Sequence, residues 1–250
     1  MLRKNRKSNG RSRTAKTAPR AVESNGRSRM CRFERMESRQ MLSADFSPIQ
    51  IGAVYFEDAI GIDAGGDLIE ITWVGGAPNT QLTELIIDTD KRNNGELSDG
   101  DPFFDVDANP PGTSGSSPLI IDTQRTTGID HIEDPIISVD GTKLVMRFTG
   151  FDPGDRLVFS VDVDEEGYPT TPLVEGKEFQ YSRLQATFAA ENYFDATGID
   201  DFLDAYDDKL RGSGLELPAD RYTPADEDPL PDQTAGAIFQ VEQTLLPTIV

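Results

Sequence analysis

From residue 46 onward the chain is punctuated by short runs of β-branched and aromatic residues, each bounded by Gly, Pro, Asn or Asp. Residues 51–56, 68–74, 82–88 and 119–122 form the first set, separated by turn clusters such as Gly75-Gly76-Ala77-Pro78-Asn79. Residues 143–148, 156–163, 178–188 and 237–245 form the second. Runs of this length between turn residues read as strands. Within them the apolar positions alternate. Leu157, Phe159, Val161 and Val163 share one face, opposite Val158, Ser160, Asp162 and Asp164, and Leu184, Ala186 and Phe188 alternate with Arg183, Gln185 and Thr187. Such alternation describes half-buried strands, with one face on a core and one in water. The pattern predicts an all-β fold, an antiparallel β-sandwich of jelly-roll or Ig-like type.

One segment has a different period. Ile199, Phe202, Leu203, Tyr206 and Leu210 fall on a helical stripe, with Asp200, Asp201 and Asp204 in its first half and Thr197 placed to cap it. Apolar spacing, cap and early acidic residues together predict one short peripheral helix, ended by Gly212-Ser213-Gly214. Residues 217–234, rich in Pro and Asp, predict an extended, weakly ordered segment. The final apolar residues, 246–250, either close the last sheet or lead toward a neighbouring module.

Charge divides the chain. Of its 24 Lys/Arg and 44 Asp/Glu, 13 and 3 lie in residues 1–43, leaving 11 against 41 for the rest. A basic, disordered N-terminus (1–45) therefore precedes an acidic sandwich domain (46–250). The formal net charge of −20 repels phosphate and argues against nucleic acid as a partner. It favours cations, because crowded carboxylates repel one another until a divalent ion neutralises them. With one cysteine (Cys31) and one histidine (His131), the chain can form neither an internal disulfide nor a Cys/His zinc site. His131, in Gly128-Ile129-Asp130-His131, reads as a loop or strand-end residue, since no nucleophile-elbow motif accompanies it. No run approaches the ~18 apolar residues of a membrane span, and no transmembrane segment is expected.

The junction between the two parts is Cys31-Arg32-Phe33-Glu34-Arg35-Met36-Glu37-Ser38-Arg39-Gln40-Met41-Leu42-Ser43-Ala44-Asp45. It resembles the LEPR-XLL-type N-terminal motif found at the start of large surface or exported proteins of planctomycete bacteria. Met36-Glu37-Ser38-Arg39 stands at the LEPR position, with Met for Leu and Ser for Pro, and Gln40-Met41-Leu42 stands at XLL, with Met for the first Leu. The resemblance covers about 15 residues, carries no catalytic group, and implies export to the cell surface or beyond.

The acidic domain holds its densest chemistry in Asp88-Thr89-Asp90-Lys91-Arg92-Asn93-Asn94-Gly95-Glu96-Leu97-Ser98-Asp99-Gly100-Asp101. Calcium takes about six to eight oxygens, and an EF-type loop supplies them from alternating positions around a central glycine. Counting from Asp90 puts Asn94, Gly95, the Glu96 carbonyl, Ser98 and Asp101 in register but leaves Arg92 at the third position. Counting from Asp88 restores that position with Asp90 but displaces the glycine. The stretch resembles the DxDxDG loops of dockerin and thrombospondin type 3 repeats, interrupted by an insertion. Asp88, Asp90, Asn94, Glu96, Ser98 and Asp101 are the candidate ligands of a weak Ca2+ site, and an Asp/Asn-rich hairpin turn is the plainer alternative. Asp105, Asp107, Asp162 and Asp164 are secondary candidates, with a solvated sheet face as the plainer reading of the last two.

Catalysis has little support. A glycosidase needs two carboxyls about 5–10 Å apart in an aromatic-lined cleft, and Trp73 is the single tryptophan here. Gly61, Gly65 and Gly66 lack the spacing and basic partner of a phosphate loop. The sequence thus predicts a non-enzymatic, exported or cell-surface module, calcium-stabilised, with an adhesion, structural or matrix role and glycans or other surface proteins as possible partners. A carbohydrate-binding module, with Trp73, Tyr181 and Tyr193 as its aromatic platform, is the first alternative. A hydrolase-associated domain is the second.

Overall fold

Among the described residues seven strands of six to eight residues grow from the apolar runs, an eighth forms where a helix is expected, and shorter ones fill the gaps between them. In the computed structural model, residues 46–56, 66–106, 116–166, 179–204 and 234–247 are described. The basic leader, the junction motif, Asp107 and most of the Pro/Asp-rich segment lie outside these residues.

In chain order the strands are β1 (Ile49–Phe56), β2 (Asp67–Val74), β3 (Gln81–Asp88), β4 (Pro102–Phe104), β5 (Ile120–Ile121), β6 (His131–Ile132) and β7 (Ile136–Ile137). Then come β8 (Lys143–Thr149), β9 (Arg156–Val161), β10 (Val163–Glu165), β11 (Arg183–Ala189), β12 (Ala196–Asp201), β13 (Leu203–Asp204) and β14 (Thr234–Val241). One sheet has the order β13-β14-β1-β2-β9-β5. The other has β12-β11-β3-β8-β6, with β7 also on β8, and β10 pairs with β4 in a two-stranded ribbon. Every pairing is antiparallel. The fold is an all-β, antiparallel β-sandwich.

The core lies between the two sheets, where the alternating apolar faces meet. Ile51, Ile71, Trp73 and Phe159 of the first sheet share one buried cluster with Leu85, Ile87, Leu144, Met146, Leu184 and Phe188 of the second. Trp73 packs edge-on against Phe188, with ring centroids 5.0 Å apart, which ties the layers together at their widest side chains. Fully burying a side chain of this class stabilises by about 1.5–3 kcal/mol, so the inward alternation rules out a one-residue slip, which would turn each strand's apolar set to the other face.

The outer faces differ. On the second sheet they are open to solvent, and β8 reads exposed Lys143, Arg147 and Thr149 between buried Leu144, Met146 and Phe148, with Val145 outward beside Ile86 and Ile136. On the first sheet Val54, Glu70 and Val158 point away from the core yet are buried, with Arg156 paired to Glu70 at 2.8 Å. The expectation of a wet second face on residues 156–164 is therefore corrected. Val158 and Asp162 are both buried, and the strand breaks at Asp162, which lies between β9 and β10.

The predicted helix is also corrected. Residues 196–201 and 203–204 are strands, and the described residues contain no helix. Ala196 and Phe202 are buried while Ile199 is 56% exposed. A Cβ at Gly198 would collide with Phe239 and Val241, so β12 lies flat on β14, where a helix has no room. Pairing with β11 overrides the weak helical stripe. At Phe202 the chain passes from one sheet to the other, held by Tyr181 N–H donating to Phe202 O (2.8 Å) and Phe202 N–H donating to Ser182 O (2.7 Å). Residues 205–210 lie outside the described residues.

Candidate functional site

The Asp-rich loop joins β3 to β4 and is pinched shut at its base. Thr89, fully buried, donates its N–H to Thr142 O at 2.8 Å and its hydroxyl to the carbonyls of Pro102 and Thr142. The far side is stitched to the end of β10, where Gly100 N–H donates to Glu166 O (2.8 Å) and Glu166 N–H to Asp101 O (3.1 Å). Asn93 and Gly95 take left-handed backbone angles, which these two residue types tolerate best. The result is a compact Ω-type loop.

Two carboxylates turn inward. Asp101, 1% exposed, accepts Lys91 N–H through Oδ1 (3.2 Å) and Ser98 N–H through Oδ2 (3.0 Å). Asp90, 5% exposed, accepts Gly95 N–H through Oδ2 at 2.6 Å. Its other oxygen, Oδ1, is buried with no hydrogen-bond partner among the described residues. A carboxylate oxygen without a donor is costly, because desolvation is not repaid.

The other predicted ligands are divided by the fold. Asp88 sits on β3 with its carboxylate toward Lys143 Nζ (3.2 Å) and Arg183 Nη2 (3.5 Å), its register neighbours on β8 and β11. Asn94 accepts Glu96 N–H (3.0 Å) and donates to Ser98 Oγ (3.0 Å) at the exposed tip. The Glu96 side chain is exposed. Arg92, the misfit of the calcium pattern, donates to Asp99 O at 2.7 Å.

Glu165 is the neighbour that the linear pattern does not reveal. It lies opposite Pro102 in the β10–β4 ribbon, and its carboxyl is held above the usual range. Burial is the largest cause, with Lys91 opposing the shift and Asp101 reinforcing it. Long-range pairing brings it there, and the only sequence signal is the acidic run that ends β10.

The secondary candidates lie at the break between β9 and β10. Asp105 N–H donates to Asp162 O at 3.0 Å, and Asp162 Oδ2 accepts Ser117 N–H at 3.1 Å. Both side chains are buried, as is Asp67, whose Oδ2 accepts Val163 N–H at 3.2 Å. Asp164 is half-buried on β10. Among the described residues no group of three or more His, Cys, Asp or Glu side chains is gathered closely enough to hold a metal ion. A cation here would have to draw on backbone and amide oxygens as well, which calcium accepts.

The aromatic platform does not form as expected. Trp73 is 1% exposed between Phe151 and Phe188, so it serves the core and presents no face to a sugar. Tyr181 is 61% exposed, while Tyr193 packs edge-on against Phe46 at 5.4 Å. His131 is exposed at the strand end β6. Comparison of the chain with protein-family models, with curated proteins and with solved structures gave no match.

Proposed function

We propose that this chain is a non-enzymatic β-sandwich module of an exported or cell-surface protein, with an adhesion, structural or matrix role, and that calcium stabilises it at the loop between β3 and β4. The observation that carries the calcium reading is the Asp90 carboxylate, buried with one oxygen that has no donor among the described residues. An oxygen-seeking divalent cation would supply the missing partner. Asp90 and Asp101 fit as its carboxylate ligands, and the loop's carbonyls with the side chains of Asn94 and Ser98 offer further oxygens of the right chemistry. Two carboxylates in place of four or five give a weak site, suited to the millimolar calcium found outside cells.

Bound calcium would add positive charge beside Asp90 and Asp101, relieving repulsion between Asp101 and Glu165 and fixing the loop against β10. Ligand linkage sets the scale, about 2.7 kcal/mol of added stability at a concentration 100 times the dissociation constant. Calorimetric titration of the full chain with calcium tests the reading. Saturable binding that is lost in Asp90→Ala, with the β-sheet circular dichroism retained, supports it. Heat of dilution alone in the wild-type chain would remove calcium from the account. The surface role rests on the junction motif's resemblance and on the excess of acid, and protease shaving of intact cells tests it separately.

A further inference from the structure

The tip of the same loop carries an Asn94–Gly95 pair, and its hydrogen bonds in the cation-free loop point to a second kind of chemistry. Asn–Gly peptides are the sequence most prone to spontaneous deamidation, because glycine offers its backbone nitrogen no steric shield. Gly95 has φ +77°, and a Cβ built there would meet no atom within 4 Å. Both residues are exposed. The reaction needs the Gly95 amide to lose its proton to solvent base. The nitrogen then attacks Asn94 Cγ, the N–Cγ bond forms, the Cγ–Nδ2 bond breaks, and ammonia leaves. Water opens the resulting succinimide at either carbonyl, leaving an aspartyl residue or its β-linked isomer in place of Asn94.

Each atom in that sequence is restrained. The Gly95 N–H donates to buried Asp90 Oδ2 at 2.6 Å, a charge-assisted bond of the strong class. Asn94 Oδ1 accepts Glu96 N–H, and Nδ2 donates to Ser98 Oγ, both at 3.0 Å. The adjacent carboxylate also opposes the negative charge that must develop on the attacking nitrogen. We propose that Asn94 is a latent deamidation site latched by Asp90, whose hydrogen bond keeps the Gly95 nitrogen protonated and unreactive while the loop is folded. Opening the latch would convert a neutral tip residue into a new carboxylate beside the buried pair, and the β-linked product would lengthen the backbone and displace the Glu96 turn.

The chain contains two other Asn–Gly pairs, Asn9–Gly10 and Asn25–Gly26, which serve as internal references. The experiment incubates the full chain in mildly alkaline buffer with excess chelator, folded and in denaturant, and follows each pair by peptide-mapping mass spectrometry. In denaturant all three should convert at similar rates. Asn94 should convert more slowly in the folded wild type than in denaturant, and Asp90→Ala should accelerate the folded rate by about tenfold or more, the factor set by losing one charge-assisted hydrogen bond. Asp90→Asn, which keeps an acceptor without the charge, should fall between and decides the matter where Asp90→Ala does not fold. Folded wild type converting Asn94 as fast as the denatured chain does would overturn the latch, and so would folded Asp90 variants no faster than wild type.

Discussion

Two neighbouring acidic turns meet at Thr89 and Thr142, and they treat their carboxylates in opposite ways. The turn from Ser138 to Thr142 supplies its own donors. Asp140 accepts the Ser138 hydroxyl and Thr142 N–H, and although burial works against ionisation, these hydrogen bonds outweigh it and hold the carboxyl below its usual 3.8. The loop between β3 and β4 runs short of donors. Asp90 keeps one buried oxygen without a donor among the described residues, and burial pushes Glu165 above its usual 4.5, with Lys91 opposing the shift and Asp101 reinforcing it. Composition does not separate the two, since each sets Asp beside Gly, Ser and Thr. Donor supply does. One turn is complete as a turn, and the other carries more carboxylate than its donors can satisfy.

The largest single-site effect is expected at Asp101. Replacing it with Ala leaves Lys91 N–H and Ser98 N–H without their buried acceptor, and the loss should be about 2–3 kcal/mol in chemical denaturation. An effect near zero would mean that the loop opens to water and that its burial does not matter. Asp140→Ala should cost less, about 1 kcal/mol, because that turn is nearer solvent. Its pH dependence sharpens the contrast. A carboxyl with a lowered folded pKa stabilises above its unfolded value, and the benefit disappears as pH falls through the folded one. Wild type and Asp140→Ala should therefore differ at neutral pH and converge as pH falls below 3.8.

Glu165→Gln carries the opposite sign and the smallest size. A carboxyl raised in the fold costs stability once pH exceeds the unfolded value, so the variant should be more stable than wild type at neutral pH without added calcium. The gain should be about 0.5 kcal/mol, reduced by solvent screening, and it should vanish below pH 4.5. A loss of stability in Glu165→Gln at neutral pH would show that Lys91 dominates and that the loop is not short of positive charge.

The sequence made the strands legible because inward alternation is a local property. Leu144, Met146 and Phe148 announce β8 without reference to any other segment. It also places Asp90 and Asp101 in one loop, since their spacing is local too, and both are buried there. Three features required the register. Asp88 looked like the first ligand, but β8 and β11 place Lys143 and Arg183 beside it. Glu165 reaches the loop through its pairing opposite Pro102, more than sixty residues away in sequence. Trp73 became core because β2 turns its odd-numbered side chains inward, toward Phe188. The helical stripe at residues 199–203 failed for the same reason, as β11 on one side and β14 beneath left space only for a strand.

Thermal unfolding of the full chain in ~5 mM calcium and in excess chelator, for wild type and Asp90→Ala, tests the central claim most directly; the concentration covers the weak extracellular range. The shortage of donors predicts that calcium raises the wild-type melting temperature by several degrees, the scale of a few kcal/mol in a domain of this size. It also predicts that Asp90→Ala loses the rise. Superimposable wild-type curves with and without calcium would contradict the account and leave the loop a closed acidic turn like its neighbour.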